Sequence, residues 1–313
     1  MLSPLIIIAG PTGIGKTATA LKLAEPFSAE IISADSMQIY RKMDIGTAKP
    51  TREELACVPH HMIDVVEPDD PFDAAQFVRM AEPIIDRIHS SARPVFVAGG
   101  TGLYIKALIH GIFPCPRQDK EIREKLSNEA ERLGPSFIFD RLRRVDPESA
   151  IKIHPNDKQR IIRAIEVFEL TGLPLSEHHQ AHRFQKTRHR TLKIGLTMDR
   201  GLLYERIDRR VDQMLEEGLV DEVEGILRQG FSPHIKSMQS IGYSHVTKFL
   251  HGEISVDEMV RTLKRDTRRY AKRQLTWFGA DPQVIWMEPQ EIDGIRKKVD
   301  AFLDNHALGL GKK

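Results

Sequence analysis

The sequence predicts an α/β protein of the P-loop NTPase-like kind, with a parallel sheet core, helices on both faces and an all-helical insertion domain. Three observations predict it. Short apolar runs alternate with helix-period segments over the first hundred residues. A glycine-rich phosphate loop stands at the first strand-to-helix junction. Strand character then disappears between about residues 117 and 190 and returns afterwards.

The first expected strand is the apolar run at residues 5–9, followed by a helix at 17–27. Further strands are expected at 30–34, 62–66 and 94–98, with a helix at 74–89. After Pro114-Cys115-Pro116 the pattern is helical. One helix is expected at 119–133, ending at Gly134, and another at 156–171, with an Asn start and Gly172 as its stop. A strand is expected at 192–197, helices at 200–217, 220–228 and 256–278, and a last strand at 284–287. The domains expected are a catalytic core from 1–113 and 192–313, and a helical insertion at 114–191.

Bulk composition excludes little. Of 313 residues, 41% are apolar and 29% charged, as in ordinary soluble globular proteins. The run at 5–9 is too short for a membrane span or a signal core. Cys57 and Cys115 lie far apart in no metal-ligand spacing, which fits free thiols in a reducing cytoplasm. Charge is uneven. Residues 261–273 carry a local net of +6 in a chain whose total is +2, which suggests a located polyanion site.

Gly10-Pro11-Thr12-Gly13-Ile14-Gly15-Lys16-Thr17 has the spacing of a P-loop and the required strand before it and helix after it. Its backbone N–H groups form an anion nest, and the helix start adds a positive dipole end. Lys16 supplies a point charge to a terminal phosphate, and the Thr17 hydroxyl can hold Mg²⁺. Switch and motor NTPases add an Asp at the end of an apolar strand. Here Val95-Phe96-Val97 runs into Ala98-Gly99-Gly100-Thr101-Gly102 without a carboxylate, and Asp64 is the nearest substitute. The loop therefore reads as a phosphate grip for group transfer.

Asp35, in Ala34-Asp35-Ser36-Met37-Gln38, follows the second strand and falls on the same sheet edge as the loop. It can hold Mg²⁺ through water, act as a general base, or cap a helix. The glycines after the fourth strand allow close backbone approach, and Thr101 offers a hydroxyl. On a helical wheel Arg261, Arg265, Arg268 and Lys272 form one stripe flanked by Lys264, Arg269 and Arg273. Val260, Leu263, Tyr270, Trp277 and Phe278 lie opposite. Such a face suits a nucleic-acid backbone, and a solvated surface helix is the alternative. Arg160 and Arg163 stand one turn apart in the insertion. His178, His179 and His182 lack the partners that would complete a metal site.

These residues together resemble the bacterial-type tRNA dimethylallyltransferases, also called tRNA isopentenyltransferases, over nearly the whole chain. The resemblance rests on Gly10–Thr17, Asp35-Ser36-Met37-Gln38-Ile39-Tyr40, Met43-Asp44-Ile45-Gly46-Thr47-Ala48-Lys49-Pro50 and Gly99-Gly100-Thr101-Gly102-Leu103-Tyr104. It continues in His154-Pro155-Asn156-Asp157, Ile241-Gly242-Tyr243 and Lys272-Arg273-Gln274-Leu275-Thr276-Trp277. It implies a Mg²⁺-assisted transfer of a dimethylallyl group from dimethylallyl diphosphate to N6 of the adenosine 3′ of a tRNA anticodon. The loop that holds ATP in a kinase would hold the donor diphosphate. Asp35 matches the family's general base, Thr101 a threonine near the reacting centre, and Arg210 a diphosphate-binding arginine.

Contacts to the tRNA anticodon stem-loop are implied for Asp35, Ser36, Met37, Gln38, Thr101 and Arg123. They are implied also for Gln159, Arg160, Ile161, Ile162 and Arg163, for Gly242 and Tyr243, and for Lys272, Arg273, Gln274 and Trp277. Met238-Gln239-Ser240 stands where some members have an Arg. No Cys/His zinc-finger tail follows, which points to the bacterial type. The expected working form is a cytoplasmic monomer without membrane partners. Rival classes are a P-loop kinase, a prenyltransferase acting on free adenine nucleotides, and a non-catalytic RNA-binding protein.

Overall fold

The computed structural model describes residues 3–112, 116, 119–182 and 187–310. Cys115, Arg183 and Lys186, and the side chain of His182, lie outside the described residues. So does the expected domain boundary at 113/114.

The chain divides into two compact units, Met1–Ile109 with Arg188–Lys313, and His110–Thr187. The first unit holds six strands: β1 (Ser3–Ala9), β2 (Glu30–Ser33), β3 (His60–His61), β4 (Val95–Gly99), β5 (His189–Leu196) and β6 (Ile285–Met287). They form one sheet in the order β3-β2-β4-β1-β5-β6, and every neighbouring pair is parallel. Central β1 is covered on both faces, so Leu5, Ile6, Ile7 and Ile8 are all buried, which is why it reads as an unbroken apolar run.

Helices α1 (Lys16–Ala24), α2 (Arg52–Cys57), α3 (Ala74–Ser90) and α4 (Gly102–His110) alternate with the first strands. The second unit is helical: α5 (Lys120–Leu133), α6 (Pro135–Val145), α7 (Pro147–Lys152), α8 (Lys158–Thr171) and α9 (Leu175–His182). The chain returns through α10 (Arg200–Glu216), α11 (Leu219–Arg228), α12 (Tyr243–Leu250), α13 (Val256–Gly279) and α14 (Ile292–Leu310). Among the described residues no helix is long and apolar enough to cross a membrane.

Four expectations about elements need correction. The strand expected at 192–197 is β5, which starts at His189, and the core resumes at Arg188 rather than at 192. The third strand is His60–His61, not residues 62–66. Met62 and Asp64 take positive φ of 65° and 54°, so the chain turns out of the sheet there. The first helix stops at Ala24, because Pro26 starts a 3₁₀ turn over Glu25–Phe27. Helix α8 begins after Asp157, whose Oδ1 accepts the Arg160 N–H at 3.2 Å, so the cap is Asp157 rather than Asn156.

The second unit has its own core, in which Leu126, Ile138, Leu142, Ile161 and Ile165 interdigitate. Buried Asp146 accepts from the N–H and hydroxyl of both Ser149 and Ser176, which fastens α7 to α9. Burial opposes its ionisation, but those four bonds outweigh burial and hold its carboxyl below the usual range.

Strand order places the functional loops. The chain passes from β1 to β2, and β4 then inserts between them. The loops after β2, β4 and β1 therefore adjoin along one carboxyl edge, where open α/β sheets bind ligands.

Candidate active site on the carboxyl edge of the sheet

The loop after β1 turns on Gly13 and Gly15, at φ 79° and 100°, which L side chains rarely adopt. Lys16 heads α1, and its Nζ donates to the Pro11 carbonyl at 2.8 Å, folding the ammonium over its own loop. Burial lowers its pKa to about 8. Asp35 opposes that shift and Arg210 adds to it. Arg210, from α10, is likewise lowered by burial and supported by Asp35. Two cations from distant segments thus share one desolvated region in which Asp35 supports both, and Glu217 also supports Arg210.

Asp35 leaves the end of β2. Its Oδ1 accepts the N–H of Met37 at 2.9 Å and of Gln38 at 3.4 Å, so it caps a turn rather than a helix. The Thr101 hydroxyl, from the loop after β4, accepts the Ser36 N–H at 2.9 Å and also bonds Tyr270. Burial, with Asp35 nearby, pushes the Tyr270 phenol up, so it stays neutral. Gly99 lets β4 pass close to β2, since a Cβ there would meet the Ala34 carbonyl oxygen at 2.2 Å.

Two cavities open from this edge. A cleft of about 760 Å³ is lined by the P-loop, Asp64, the 44–55 segment and α10. A second cavity of about 330 Å³ is more apolar, with Met37, Ile207, Val211, Leu219 and Leu263 in its wall and Gln239 to Gly242 at one side. Thr12, Asp35, Thr47, Arg210, Met214 and Tyr270 line both. The junction thus carries a cation, a carboxylate and a phenol. Asp64, weighed from sequence as a substitute metal carboxylate, is engaged by Lys49 at 2.5 Å on the cleft wall.

Several residues expected at an RNA surface lie elsewhere. Gln274 is buried; its Oε1 accepts the Thr12 N–H at 2.8 Å and its Nε2 donates to the Gly100 carbonyl at 3.0 Å. It therefore ties the P-loop to the loop after β4. Tyr243 is fully buried and donates its hydroxyl to Glu222 at 2.6 Å. Ile161 and Ile162 belong to the core of the second unit. Arg163 pairs with Glu166 at 2.7 Å and donates to the Pro116 carbonyl, while Gln159 and Arg160 are exposed and Arg123 is half-buried.

The basic helix is also less open than its composition suggests. Lys264 pairs with Asp212 at 2.6 Å and Arg268 with Asp208 at 2.5 Å, both on α10. Arg265 and Arg269 lean on Asp266, and Arg261 on Glu258. Arg269, Lys272 and Arg273 remain exposed, with Arg273 over the Tyr270 ring. Trp277, expected on the docking side, is 44% exposed beside them. Sequence reasoning missed Glu222 and Lys49 as functional supports; the Asp44–Pro50 run was noticed, but no single-residue signal marked its distant partner on α11.

Fold and site define a P-loop-like α/β protein whose glycine-rich loop lines a cleft that opens onto a second, more apolar cavity. A family model described as IPP transferase matches residues 38–281, and the chain belongs to that family of transferases. It is 52% identical to the tRNA dimethylallyltransferase of Desulfosudis oleivorans over 98% of this chain and 97% of that protein. It is 50% identical to tRNA dimethylallyltransferase 1 of Pelobacter propionicus, covering 97% and 98%. Among solved structures it matches the tRNA isopentenylpyrophosphate transferase of Bacillus halodurans at TM-score 0.73 and 41% identity, covering 97% and 98%. A eukaryotic dimethylallyltransferase acting on tRNA matches at TM-score 0.77 and 28% identity, covering 92% of this chain and 74% of that one.

Proposed function

We propose that this chain transfers the dimethylallyl group of dimethylallyl diphosphate to N6 of the adenosine 3′ of a tRNA anticodon, working as a monomer. The observation that carries the reading is the junction, where Arg210 and Asp35 stand between a cleft that holds Lys16 and an apolar cavity.

The donor diphosphate lies on the P-loop amides, with Lys16 and Arg210 taking up charge as the C1–O bond breaks. The allyl carbon carries the developing positive charge, and the apolar wall excludes competing water. The adenine leaves its stack and enters from the other cavity, so that N6 meets C1 at the junction. As the N6–C1 bond forms, the N6 proton passes to Asp35 and the diphosphate departs with the electron pair. Thr101 and Tyr270 hold the turn that carries Asp35.

The oxygen donors at this place fit Mg²⁺. The Thr17 side chain and Asp35 line one small cavity behind the loop, and no cluster of three His, Cys, Asp or Glu forms a protein-only site among the described residues. Mg²⁺ is commonly held by few protein oxygens together with substrate phosphates. Bound by Thr17 and the diphosphate, it would neutralise charge on the leaving group. The exposed Arg269, Lys272 and Arg273, with Trp277 beside them, suit a phosphate backbone and an unstacked base.

Incubating the protein with labelled dimethylallyl diphosphate and unmodified tRNA, AMP or no acceptor, and separately with labelled ATP, tests the reading. Label should pass to tRNA alone, and Asp35→Ala should abolish that transfer while still binding tRNA. Phosphate transfer from ATP, or full activity in Asp35→Ala, would overturn it.

A further inference from the structure

The segment from Asp44 to Thr47 walls both cavities. Asp44, Ile45 and Thr47 face the P-loop cleft, and Gly46 and Thr47 face the apolar cavity. It is a run of turns with no strand or helix to hold it. Its three consecutive N–H groups converge instead on one carboxylate. Glu222 Oε2 accepts from Asp44 at 2.8 Å and Ile45 at 2.7 Å, and Oε1 from Gly46 at 3.1 Å. The Tyr243 hydroxyl completes the set on Oε1 at 2.6 Å.

Converging backbone N–H groups of this kind usually receive a ligand anion. Here the chain fills the nest with a residue from α11, and neither Glu222 nor Tyr243 lines either of these two cavities. The Tyr243 ring lies against Gly46, where a Cβ would come within 2.5 Å of Tyr243 Cε2. That close approach keeps the phenol within reach of Glu222. Thr47 is fixed in turn, since its hydroxyl donates to the Met43 carbonyl at 2.6 Å and its own carbonyl accepts from Gln38 Nε2 at 3.3 Å.

We infer that Glu222 is a positioning residue for the transfer, holding the 44–47 wall so that Thr47 stays at the junction where donor meets acceptor. The inference deepens the proposed function and rests on it. An amide in place of the carboxylate has only one accepting oxygen, so Glu222→Gln leaves at least one of the three N–H groups without its partner. The wall then loosens on the donor side.

The test is steady-state kinetics on Glu222→Gln and Tyr243→Phe, with donor binding by calorimetry and a melting curve for each. Misplacing a wall by a fraction of an ångström should raise the donor KM and Kd by about tenfold in Glu222→Gln and lower kcat by a similar factor. The KM for tRNA should stay within roughly twofold. Tyr243→Phe keeps the ring and all three backbone contacts, so its donor KM should move by less than about threefold. A purely structural residue would lower kcat through the folded fraction and leave the donor KM and Kd unmoved. That result, or equal effects in both variants, would overturn the inference. A wild type that binds donor but gives no product with tRNA would sink the activity reading alone, because the calorimetric comparison still judges Glu222.

Discussion

Lys16 and Arg268 are both cations that the sequence offers to phosphate, and the fold treats them in opposite ways. Lys16 has no carboxylate within ion-pair distance among the described residues; it rests on the Pro11 carbonyl, and burial brings it to about 8. Arg268 is held by Asp208 at 2.5 Å from a helix 60 residues earlier. The difference lies in what each motif specifies. A P-loop is a backbone conformation, so the glycines that set its turns also set where its lysine points. A cationic helix stripe is a set of side chains, and its partners come from elsewhere in the chain. The first kind of signal carries geometry with it, whereas the second carries only composition.

The largest expected effect breaks the comparison at its strong end. Lys16→Ala should lower donor kcat/KM by roughly 10²- to 10³-fold, the cost of removing one preorganised charge from a leaving group. Transfer rates with saturating tRNA would show it, while the tRNA Kd should stay put. The same side chain predicts a pH trend about tenfold in size. With its pKa near 8, Lys16 is mostly charged at pH 7, but only about a tenth remains charged at pH 9. Donor affinity should therefore weaken roughly tenfold over that interval, and Lys16→Ala should lose the trend. Its stability effect has the opposite sign. The folded state binds fewer protons than the unfolded between about 8 and the ordinary 10.5, so this group adds stability as pH rises through that window. Calorimetry and urea melts at matched pH values separate the two. Donor affinity that holds flat from pH 7 to 9 would mean that Lys16 is not the cation that meets the diphosphate.

The contrast also explains what the sequence could convey. The parallel sheet is legible because β1 and β4 are apolar and buried on both faces, and because the P-loop and Asp35 had to follow parallel strands onto one edge. The cradle and Asp35 were therefore placed by topology alone. Residues whose roles depend on long-range pairing were not legible. Gln274 was expected to contact tRNA on the strength of the resemblance, yet its amide ties Thr12 to Gly100 across 262 and 174 positions. Tyr243 was expected to contact tRNA on the strength of the resemblance, yet it is sealed against Gly46 and Glu222. Met62 and Asp64 looked like strand residues because hydrophobicity does not reveal a positive φ.

The outward cations of α13 allow a middle-sized test. Arg269 and Lys272 are exposed on the face beside Trp277, and Asp266 counters Arg269 at 3.2 Å. Reversing both to Glu should weaken tRNA binding by roughly ten- to a hundredfold at moderate salt and flatten the salt dependence of the Kd. Donor KM should not change. Filter binding across a salt series reads both numbers, and an unaltered slope would place the RNA on another face.

The smallest expected effect is the most informative about the comparison, because it concerns a cation of the same helix that is already spoken for. Arg268 lies a turn from Lys272, yet its guanidinium is closed by both oxygens of Asp208, with side chains 31% and 35% exposed. If partners decide what a charge does, Arg268→Ala should leave the tRNA Kd within roughly twofold, since no free phosphate ligand is lost. It should instead lower stability by up to about 1 kcal/mol, the range for partly exposed pairs. For a protein of this size that is a fall in Tm of roughly 1–2 °C. A tenfold loss of tRNA affinity with an unchanged Tm would show the reverse, that Asp208 releases Arg268 to the nucleic acid. The ion pairs along α10 and α13 would then be a latch opened by RNA rather than a structural seam, and the composition of the helix would have been the better guide than its packing.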